Sequence, residues 1–421
     1  MQTHCISEQL EFEGFDSHKV IAGFDGGAIS SDAGALLLRH VDSAIGLFGR
    51  VAACFIDGRD RDCTVHSVRT LVGQRIAAIV LGYEDVDDHD TLRHDPVLGL
   101  LSPGLTPKRE DCAVLAGKST LNRLEHGRGG ERTRHHRIGH DTQAIEALFV
   151  TLFLEAHDKP PAEIVLDLDA TDDPLHGQQE GRFFHGYYNC YCYLPLYVFC
   201  GRHLLAAKLR RSNIDASKGA VEQVARIVTQ IRKKWRTVRI ILRADSGFAR
   251  EELMGWCEQN RVDYVFGVAR NERLETKIAP ALEEACRASK ASGQAARVFS
   301  DFMWSTKDSW SRRRRVVAKA EWTTLGANPR FIVTSLKPER WAARALYGDL
   351  YCARGDMENR IKECQLDLYA DRTSAHTMRA NQLRLWFASF AYVLICALRR
   401  LGLAHTPGLP RPPAARSGLS C

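Results

Sequence analysis

Hydrophobic and polar residues follow two different periods along the chain, and the change of period divides it. Residues from Ser31 to about Glu125 have a mainly helical pattern, in which Leu36, Leu37 and Val41 share one face and Ser31 can cap the first helix. From Glu163 onward, short apolar and alternating runs predict strands and helices in the order β-β-β-α-β-α-β. This order indicates an α/β fold with a mixed sheet flanked by helices.

The pattern changes again after residue 270, and we predict five regions. They are a mainly helical N-terminal region (1–140), the first part of the α/β core (160–270), a β-rich antiparallel insertion (271–345), the rest of the core (346–403) and a Pro-rich disordered tail (404–421).

Composition narrows the class of protein only a little. The net charge of +7 is compatible with a polyanionic partner such as nucleic acid, although ordinary surfaces carry similar charge. The first ten residues show no signal peptide, and the apolar run from Leu383 to Leu398 is interrupted by Arg384 and short for a bilayer span. Thirteen cysteines without a secretory signal indicate reduced thiols. We therefore expect a cytoplasmic protein with no membrane association.

Four aspartates end the first predicted strand, in residues 165–173 (VLDLDATDD). Asp167 and Asp169 project to one face of this strand, while Leu166 and Leu168 project to the core face. Asp245 ends a second strand of the same kind, and ligands of open α/β sheets bind beyond such strand ends. Crowded carboxylates repel one another unless a cation lies among them, so this pattern is typical either of a metal site or of an acidic loop end whose carboxylates are solvated.

A helix from about Leu346 offers a third acidic group. Its polar stripe contains Tyr351, Arg354, Glu358 and then Lys362 or Gln365. Such a stripe is often only a solvated face, but Glu358 on a helix beside the sheet could complete a three-carboxylate Mg²⁺ site. Two ions ~3.5–4 Å apart activate water and stabilise a leaving oxygen in phosphodiester displacement.

A short helix near residues 119–125 has two interpretations. It is either the second helix of a helix-turn-helix that presents Asn122 and Arg123 to DNA, with Ser119 or Thr120 as its cap, or a plain packing helix.

Three segments carry a resemblance to a known family. They are residues 165–199 (VLDLDATDDPLHGQQEGRFFHGYYNCYCYLPLYVF), 240–267 (IILRADSGFAREELMGWCEQNRVDYVFG) and 349–374 (DLYCARGDMENRIKECQLDLYADRTS). The chain resembles the DDE-type insertion-sequence transposases and, more narrowly, the thirteen-eighty insertion-sequence family, also described as transposase DDE domain group one. The resemblance implies an RNase H-like catalytic core with a β-rich insertion between the second aspartate and the glutamate, for which the 113 positions from Asp245 to Glu358 leave room.

The resemblance also implies residue roles. Asp169, Asp245 and Glu358 would be the catalytic acids and metal ligands, with Asp167 a rival for the first role. Tyr351 and Arg354 match a Tyr-x2-Arg-x3-Glu-x6-Lys signature whose lysine position is Gln365 here, so that Lys362 would substitute as a phosphate contact.

The implied function is cut-and-paste DNA transposition with end cleavage, a hairpin intermediate and strand transfer. The implied cofactor is Mg²⁺, two ions per site, with Mn²⁺ as a substitute, and the implied partners are terminal inverted repeats, target DNA and a second subunit in a homodimer assembled on DNA.

Trp304, Trp310 and Trp322 would either stack on a flipped base or fill a β core. The run Arg312, Arg313, Arg314 and Arg315 would follow the phosphate backbone or form a solvated charge run. A nuclease without strand transfer and a non-catalytic DNA-binding protein are the alternatives.

Overall fold

The computed structural model describes residues 10–12, 20–22, 30–101, 113–127 and 137–403, and these residues form a mixed α/β protein. The strands are β1 (Leu10–Phe12), β2 (Val20–Ala22), β3 (Phe55–Asp57), β4 (Ile138–His140), β5 (Glu163–Ala170), β6 (Asp173–Pro174), β7 (Phe183–His185), β8 (Cys190–Tyr193), β9 (Leu196–Cys200), β10 (His203–Lys208), β11 (Arg239–Ala244), β12 (Asp263–Val268), β13 (Ala296–Trp304), β14 (Arg314–Thr323), β15 (Gly326–Ala327) and β16 (Arg330–Thr334).

The helices are α1 (Ala35–Ile45), α2 (Leu47–Ala52), α3 (Val68–Val80), α4 (His89–Leu92), α5 (Pro96–Gly99), α6 (Lys118–Glu125), α7 (Thr142–Glu155), α8 (Ala220–Lys234), α9 (Glu251–Gln259), α10 (Glu272–Ser292), α11 (Ala343–Ala345), α12 (Gly355–Lys362) and α13 (Met378–Leu403). Irregular turns surround α12: a π-helical turn Leu346–Tyr351 and a 3₁₀ turn Cys352–Arg354 precede it, and a π-helical turn Glu363–Asp367 follows.

One large sheet organises the described part of the chain. Its strand order is β10-β9-β5-β11-β12-β16-β14-β13, with β15 beside β14. The three central strands β5, β11 and β12 are parallel, and the pairs on either side of them are antiparallel. The strands between residues 296 and 334 join through β16, so they extend this sheet. This mixed sheet with helices confirms the predicted α/β class and is compatible with an RNase H-like core.

The two strands that end in aspartate are oriented by their buried faces. Ile164, Leu166 and Leu168 of β5 lie in the same hydrophobic core as Ile240 and Leu242 of β11. Helices α8 and α9 contribute to this core. Because side chains alternate along a strand, Asp167 and Asp169 lie on the opposite face, as predicted.

The last helix joins the two halves of the chain. Helix α13 packs against α1, α3, α6 and β10, and its Trp386, Phe387 and Phe390 are buried in the core that the N-terminal helices build. Among the described residues it is the one helix long and apolar enough to cross a membrane, yet 56% of that window is buried inside the protein. It is longer than the predicted apolar run, and its burial is that of a core helix.

A buried ionic cluster fixes this helix to the N-terminal region. The Glu125 side chain has no solvent exposure and accepts hydrogen bonds from Arg75 of α3 (2.9 Å) and Arg384 of α13 (2.7 Å). These guanidinium groups outweigh the effect of burial and hold the pKa of Glu125 below its usual value.

Two local expectations need correction. In α1 the buried positions include Leu38 and Val41, whereas Leu36 and Leu37 are 42% and 55% exposed, and the N-cap is Gly34 and not Ser31. Helix α6 begins at Lys118 after Gly117, so Ser119 and Thr120 lie within the helix and do not cap it. The predicted tail 404–421 lies outside the described residues.

Candidate active site

Strand β5 supplies the first pair of candidate carboxylates, and the structure separates their surroundings. Asp167 lies opposite Arg243 in the parallel register of β5 and β11. Arg243 Nε donates to Asp167 Oδ1 (2.5 Å) and Nη2 donates to Oδ2 (2.8 Å), and both side chains are less than 10% exposed. Arg243 Nη1 donates to the Leu350 carbonyl. Both Asp167 oxygens therefore accept hydrogen bonds from Arg243 in a buried ion pair, and Arg243 also binds the helical segment near Leu350.

Asp169 has a different environment at the end of the same strand. Its side chain is 14% exposed, and Oδ2 accepts a hydrogen bond from Arg354 Nη1 at 3.1 Å. Burial is the main cause that raises the pKa of Asp169 to about 7, and the nearby charges of Asp245 and Glu358 raise it further, against the opposing effect of Arg354. Asp169 is thus close enough to Asp245 and to Glu358 to interact electrostatically with each of them.

Asp245 follows β11 at the same edge of the sheet, because parallel strands have their carboxyl ends together. It caps the 3₁₀ turn Ser246–Phe248, and its Oδ1 accepts a hydrogen bond from the Gly247 amide at 2.9 Å. The sequence Asp-Ser-Gly suits this turn, since aspartate is a favoured N-cap. The cap fixes one oxygen and leaves the other free of a protein hydrogen bond among those observed in the described residues.

Glu358 comes from α12, and Arg354 connects it to the sheet. Arg354 Nη2 donates to Glu358 Oε1 at 2.7 Å, while Nη1 of the same guanidinium contacts Asp169. Burial works to lower the pKa of Arg354, but Asp169 and Glu358 outweigh it and raise this pKa. Arg354 is therefore the cation that lies between two of the three acids.

Tyr351 lies one helical turn before Arg354 and packs over β12. A Cβ atom placed on Gly267 would lie 2.6 Å from the Tyr351 hydroxyl and 2.8 Å from the Ser246 amide nitrogen. Glycine at 267 thus allows the tyrosine and the backbone that follows Asp245 to approach the strand.

Sequence reasoning missed two contacts near the acids. The Tyr188 hydroxyl lies 3.4 Å from the carbonyl oxygen of Ala170, and burial, followed by Asp172 and Asp169, raises the pKa of this tyrosine. Gln365 Nε2 donates to the Asp172 carbonyl and to Asp173 Oδ1, each at 3.0 Å. Gln365 thus holds the segment that leaves β5. No sequence pattern pointed to either contact, because both join segments that no local periodicity relates.

The arginine and lysine residues predicted to contact DNA differ in their exposure to solvent. Arg314 is 3% exposed and pairs with Glu251 and Glu258, and Arg315 is 7% exposed and pairs with Asp301. Burial removes both from a DNA-facing surface, which corrects the expectation for these two. Arg312 and Arg313 are exposed, as is Lys362 beyond Glu358.

Trp310 and Arg123, which were also predicted to contact DNA, lie in different environments. Trp310 is 9% exposed within the core shared with β11, so the β-core alternative describes it. Arg123 is exposed on α6 and lines a cavity of about 620 Å³ together with Arg59, Arg93, Arg137 and His66.

The side chains of the three acids determine whether this site suits a divalent metal ion. No cluster of three or more His, Cys, Asp or Glu residues in metal-binding geometry occurs in the described ranges, and the Arg354 guanidinium lies between Asp169 and Glu358. The donor set nevertheless fits a hard cation, because all three acids offer carboxylate oxygens. Burial is the main cause that raises the pKa of Asp169, and a bound cation would favour its ionised form, so the residues fit a metal once Arg354 turns away.

Two parallel strands and a neighbouring helix therefore bring three acidic residues to one edge of a mixed α/β sheet. The chain matches the family described as Transposase DDE domain group 1 over residues 12–408, and it belongs to that family. No curated protein matches the chain. Membership makes this protein a DDE-type transposase, and enzymes of this family generally use divalent metal ions.

Proposed function

We propose that this protein catalyses cut-and-paste transposition of an insertion sequence of the thirteen-eighty family, with Asp169, Asp245 and Glu358 as the catalytic acids. The observation that carries the proposal is the arrangement of the three acids: Arg354 bonds both Asp169 and Glu358, and Asp245 ends the parallel strand next to that of Asp169. The proposed sequence of reactions is end cleavage, a hairpin intermediate and strand transfer of a 3′ hydroxyl to target DNA.

Asp169 rather than Asp167 is assigned the first catalytic role. Both oxygens of Asp167 are bonded to Arg243, which leaves Asp167 to align β5 with β11. Asp169 Oδ1 accepts a hydrogen bond from the Ala170 amide at 2.9 Å, and Oδ2 is held by a 3.1 Å contact with Arg354, which a stronger partner could displace. Asp167 is accordingly a positioning residue.

Arg354 is assigned the contact with the scissile phosphate. Its planar guanidinium can donate two parallel hydrogen bonds, which suits a phosphate as well as the two carboxylates it joins here. Release of Arg354 from Asp169 and Glu358 would free these carboxylates at the moment when DNA offers the arginine an anionic partner. Substrate binding and assembly of the acidic site are then one event.

Asp169, Asp245 and Glu358 would hold Mg²⁺, two ions per site, or Mn²⁺ in its place. The ions would supply an activated nucleophilic oxygen and charge stabilisation for the leaving 3′ oxygen. The chain itself orients this site: the Gly247 amide fixes one oxygen of Asp245, and Tyr351 packs beside the backbone at Ser246.

The N-terminal region is proposed to bind the terminal inverted repeats. Four arginines, Arg59, Arg93, Arg123 and Arg137, line one cavity, and such clustering suits a phosphate backbone. Exposed Arg312, Arg313 and Lys362 are further candidates for DNA contacts. We expect a homodimer on DNA, since one subunit for each element end is the simplest arrangement.

Cleavage of a supercoiled plasmid that carries both element ends tests the proposal. The parent protein should nick at the ends with Mg²⁺ and not with EDTA, and Asp245→Asn should abolish nicking without loss of end binding. Asp158→Asn is the matched control, because Asp158 is exposed and precedes β5 at the opposite edge of the sheet.

Precleaved ends then separate the alternatives. Joining of these ends to target DNA supports a transposase, whereas nicking without joining indicates a nuclease. End binding with no cleavage by the parent protein would refute the catalytic proposal, and equal nicking by Asp245→Asn would refute the residue assignment.

A further inference from the structure

The segment that follows Asp169 forms a small sheet with an unusual surface. Strands β6, β8 and β7 pair in that order, and the β7–β8 hairpin turns through residues 186–189. In the part of the chain that the structure describes, every aromatic residue among the exposed large hydrophobic side chains lies on this hairpin. They are Phe183, Phe184, Tyr187 and Tyr191, and Tyr187 is 86% exposed.

One face of the hairpin combines flat rings with a cation. Phe184 and Tyr191 lie directly opposite each other in the two strands, with ring centroids 5.5 Å apart. The Arg182 guanidinium lies 3.9 Å from the centroid of the Tyr191 ring. Aromatic rings beside an arginine form a surface of the kind that binds single-stranded nucleic acid, where bases stack and the cation follows phosphates.

The tip of the hairpin is fixed beside the acidic site. The rings of Tyr187 and Tyr188 are 5.0 Å apart and nearly perpendicular, and Tyr188 turns inward to lie 3.4 Å from the Ala170 carbonyl oxygen. Ala170 directly follows Asp169. Tyr188 therefore anchors the tip, while Tyr187 projects into solvent near the place where the scissile phosphate would lie.

We propose that this hairpin binds an unpaired base of the DNA strand next to the scissile phosphate, with Tyr187 as the stacking residue and Arg182 beside the backbone. The proposal rests on the proposed function, which assigns DNA to the site at Asp169. The proposal assigns base stacking to this hairpin and not to Trp310, which is buried within the core. An aromatic surface that is 86% exposed at Tyr187 and adjoins a cation suits a nucleic-acid base better than an apolar protein segment.

Equilibrium binding in EDTA tests this inference without any requirement for cleavage. Two end duplexes are compared, one fully paired and one with two unpaired bases next to the cleavage position. The parent protein should prefer the unpaired duplex, and Tyr187→Ala should reduce that preference roughly five-fold or more, as expected for the loss of one stacked base. Tyr187→Trp should retain it, and Leu325→Ala, at a 99% exposed position on another turn, should match the parent.

Photocrosslinking adds a readout that folding defects cannot imitate. A 5-iodouracil at the unpaired position should crosslink to Tyr187 in the parent protein and to the substituted side chain in Tyr187→Trp, and this crosslink should be lost in Tyr187→Ala. Unchanged preference in Tyr187→Ala, or a crosslink that maps outside residues 182–191, would overturn the inference. A shift from dimer to monomer in Tyr187→Ala without DNA would also overturn it, by identifying the hairpin as a protein interface. Neither of these experiments measures nicking. A negative result here would therefore not affect the test of the proposed function with Asp245→Asn.

Discussion

Replacing Asp167 and Asp169 in turn by asparagine should change the stability of the protein in opposite directions. The two residues are two positions apart on one strand, but Asp167 is bonded through both oxygens to Arg243, whereas Asp169 lies among other acids. Removing one partner of a buried ion pair leaves an uncompensated charge, which destabilises a protein by about 3–5 kcal/mol. We expect Asp167→Asn to lower the free energy of unfolding by about this amount.

Asp169→Asn should stabilise the protein above neutral pH. The pKa of Asp169 is about 7 in the folded state and its ordinary value is 3.8, so the folded state binds the proton more tightly than the unfolded state. Stability therefore falls as pH rises from about 4 to 7, and asparagine removes this loss. At 1.36 kcal/mol per pKa unit, the gain at pH 8 is about 4 kcal/mol as an order of magnitude.

Thermal unfolding in EDTA at pH 5 and pH 8 measures both effects without metal binding. The Tm of Asp167→Asn should lie below the parent at both pH values, and that of Asp169→Asn should rise relative to the parent between pH 5 and pH 8. Asp158→Asn should follow the parent throughout. Equal destabilisation by the two substitutions at pH 8 would refute the distinction between a positioning residue and a catalytic acid.

Three further predictions follow from other contacts. In a denaturant titration, Glu125→Gln should lower the free energy of unfolding by about 3–5 kcal/mol, because Glu125 is buried between two arginines. Glu155→Gln, which removes an exposed ion pair, should change it by less than ~1 kcal/mol in the same titration. Burial lowers the pKa of His89 to about 3, so the contribution of this residue to stability is complete above about pH 6.5 and is lost as pH falls toward 3. In His89→Gln, a plot of the free energy of unfolding against pH should therefore have a slope that is shallower by ~1.4 kcal/mol per pH unit between pH 6 and 4.5. Gly267→Ala should reduce nicking while end binding persists, because the added methyl group meets the Tyr351 hydroxyl and the backbone after Asp245; nicking at the parental rate would contradict this contact.

The faces of the catalytic strands could be predicted from sequence because one side of each strand is core. Alternation over Ile164, Leu166 and Leu168 determines which way Asp167 and Asp169 point, whatever the neighbouring strands are. The choice between the two aspartates could not be made in this way. It depends on the parallel register that sets Arg243 opposite Asp167, and register between distant strands leaves no local pattern.

The run of four arginines shows the same limit. Charge alone favours an exposed surface for all four, yet Arg314 is buried because Glu251 and Glu258 of α9 meet it from a distant part of the chain. A buried arginine needs partners, and these were contributed by residues more than fifty positions earlier. Asp245, by contrast, could be placed at the end of β11 from sequence, because the apolar pattern of that strand is local.

The position of α13 has a consequence for protein synthesis. This helix is the last described element of the chain, yet Trp386, Phe387 and Phe390 complete the core of helices that lie earlier in the chain. These earlier helices therefore cannot complete their core until the buried residues of α13 have left the ribosomal exit tunnel. A product that terminates before α13 should therefore lack the folded core of these helices.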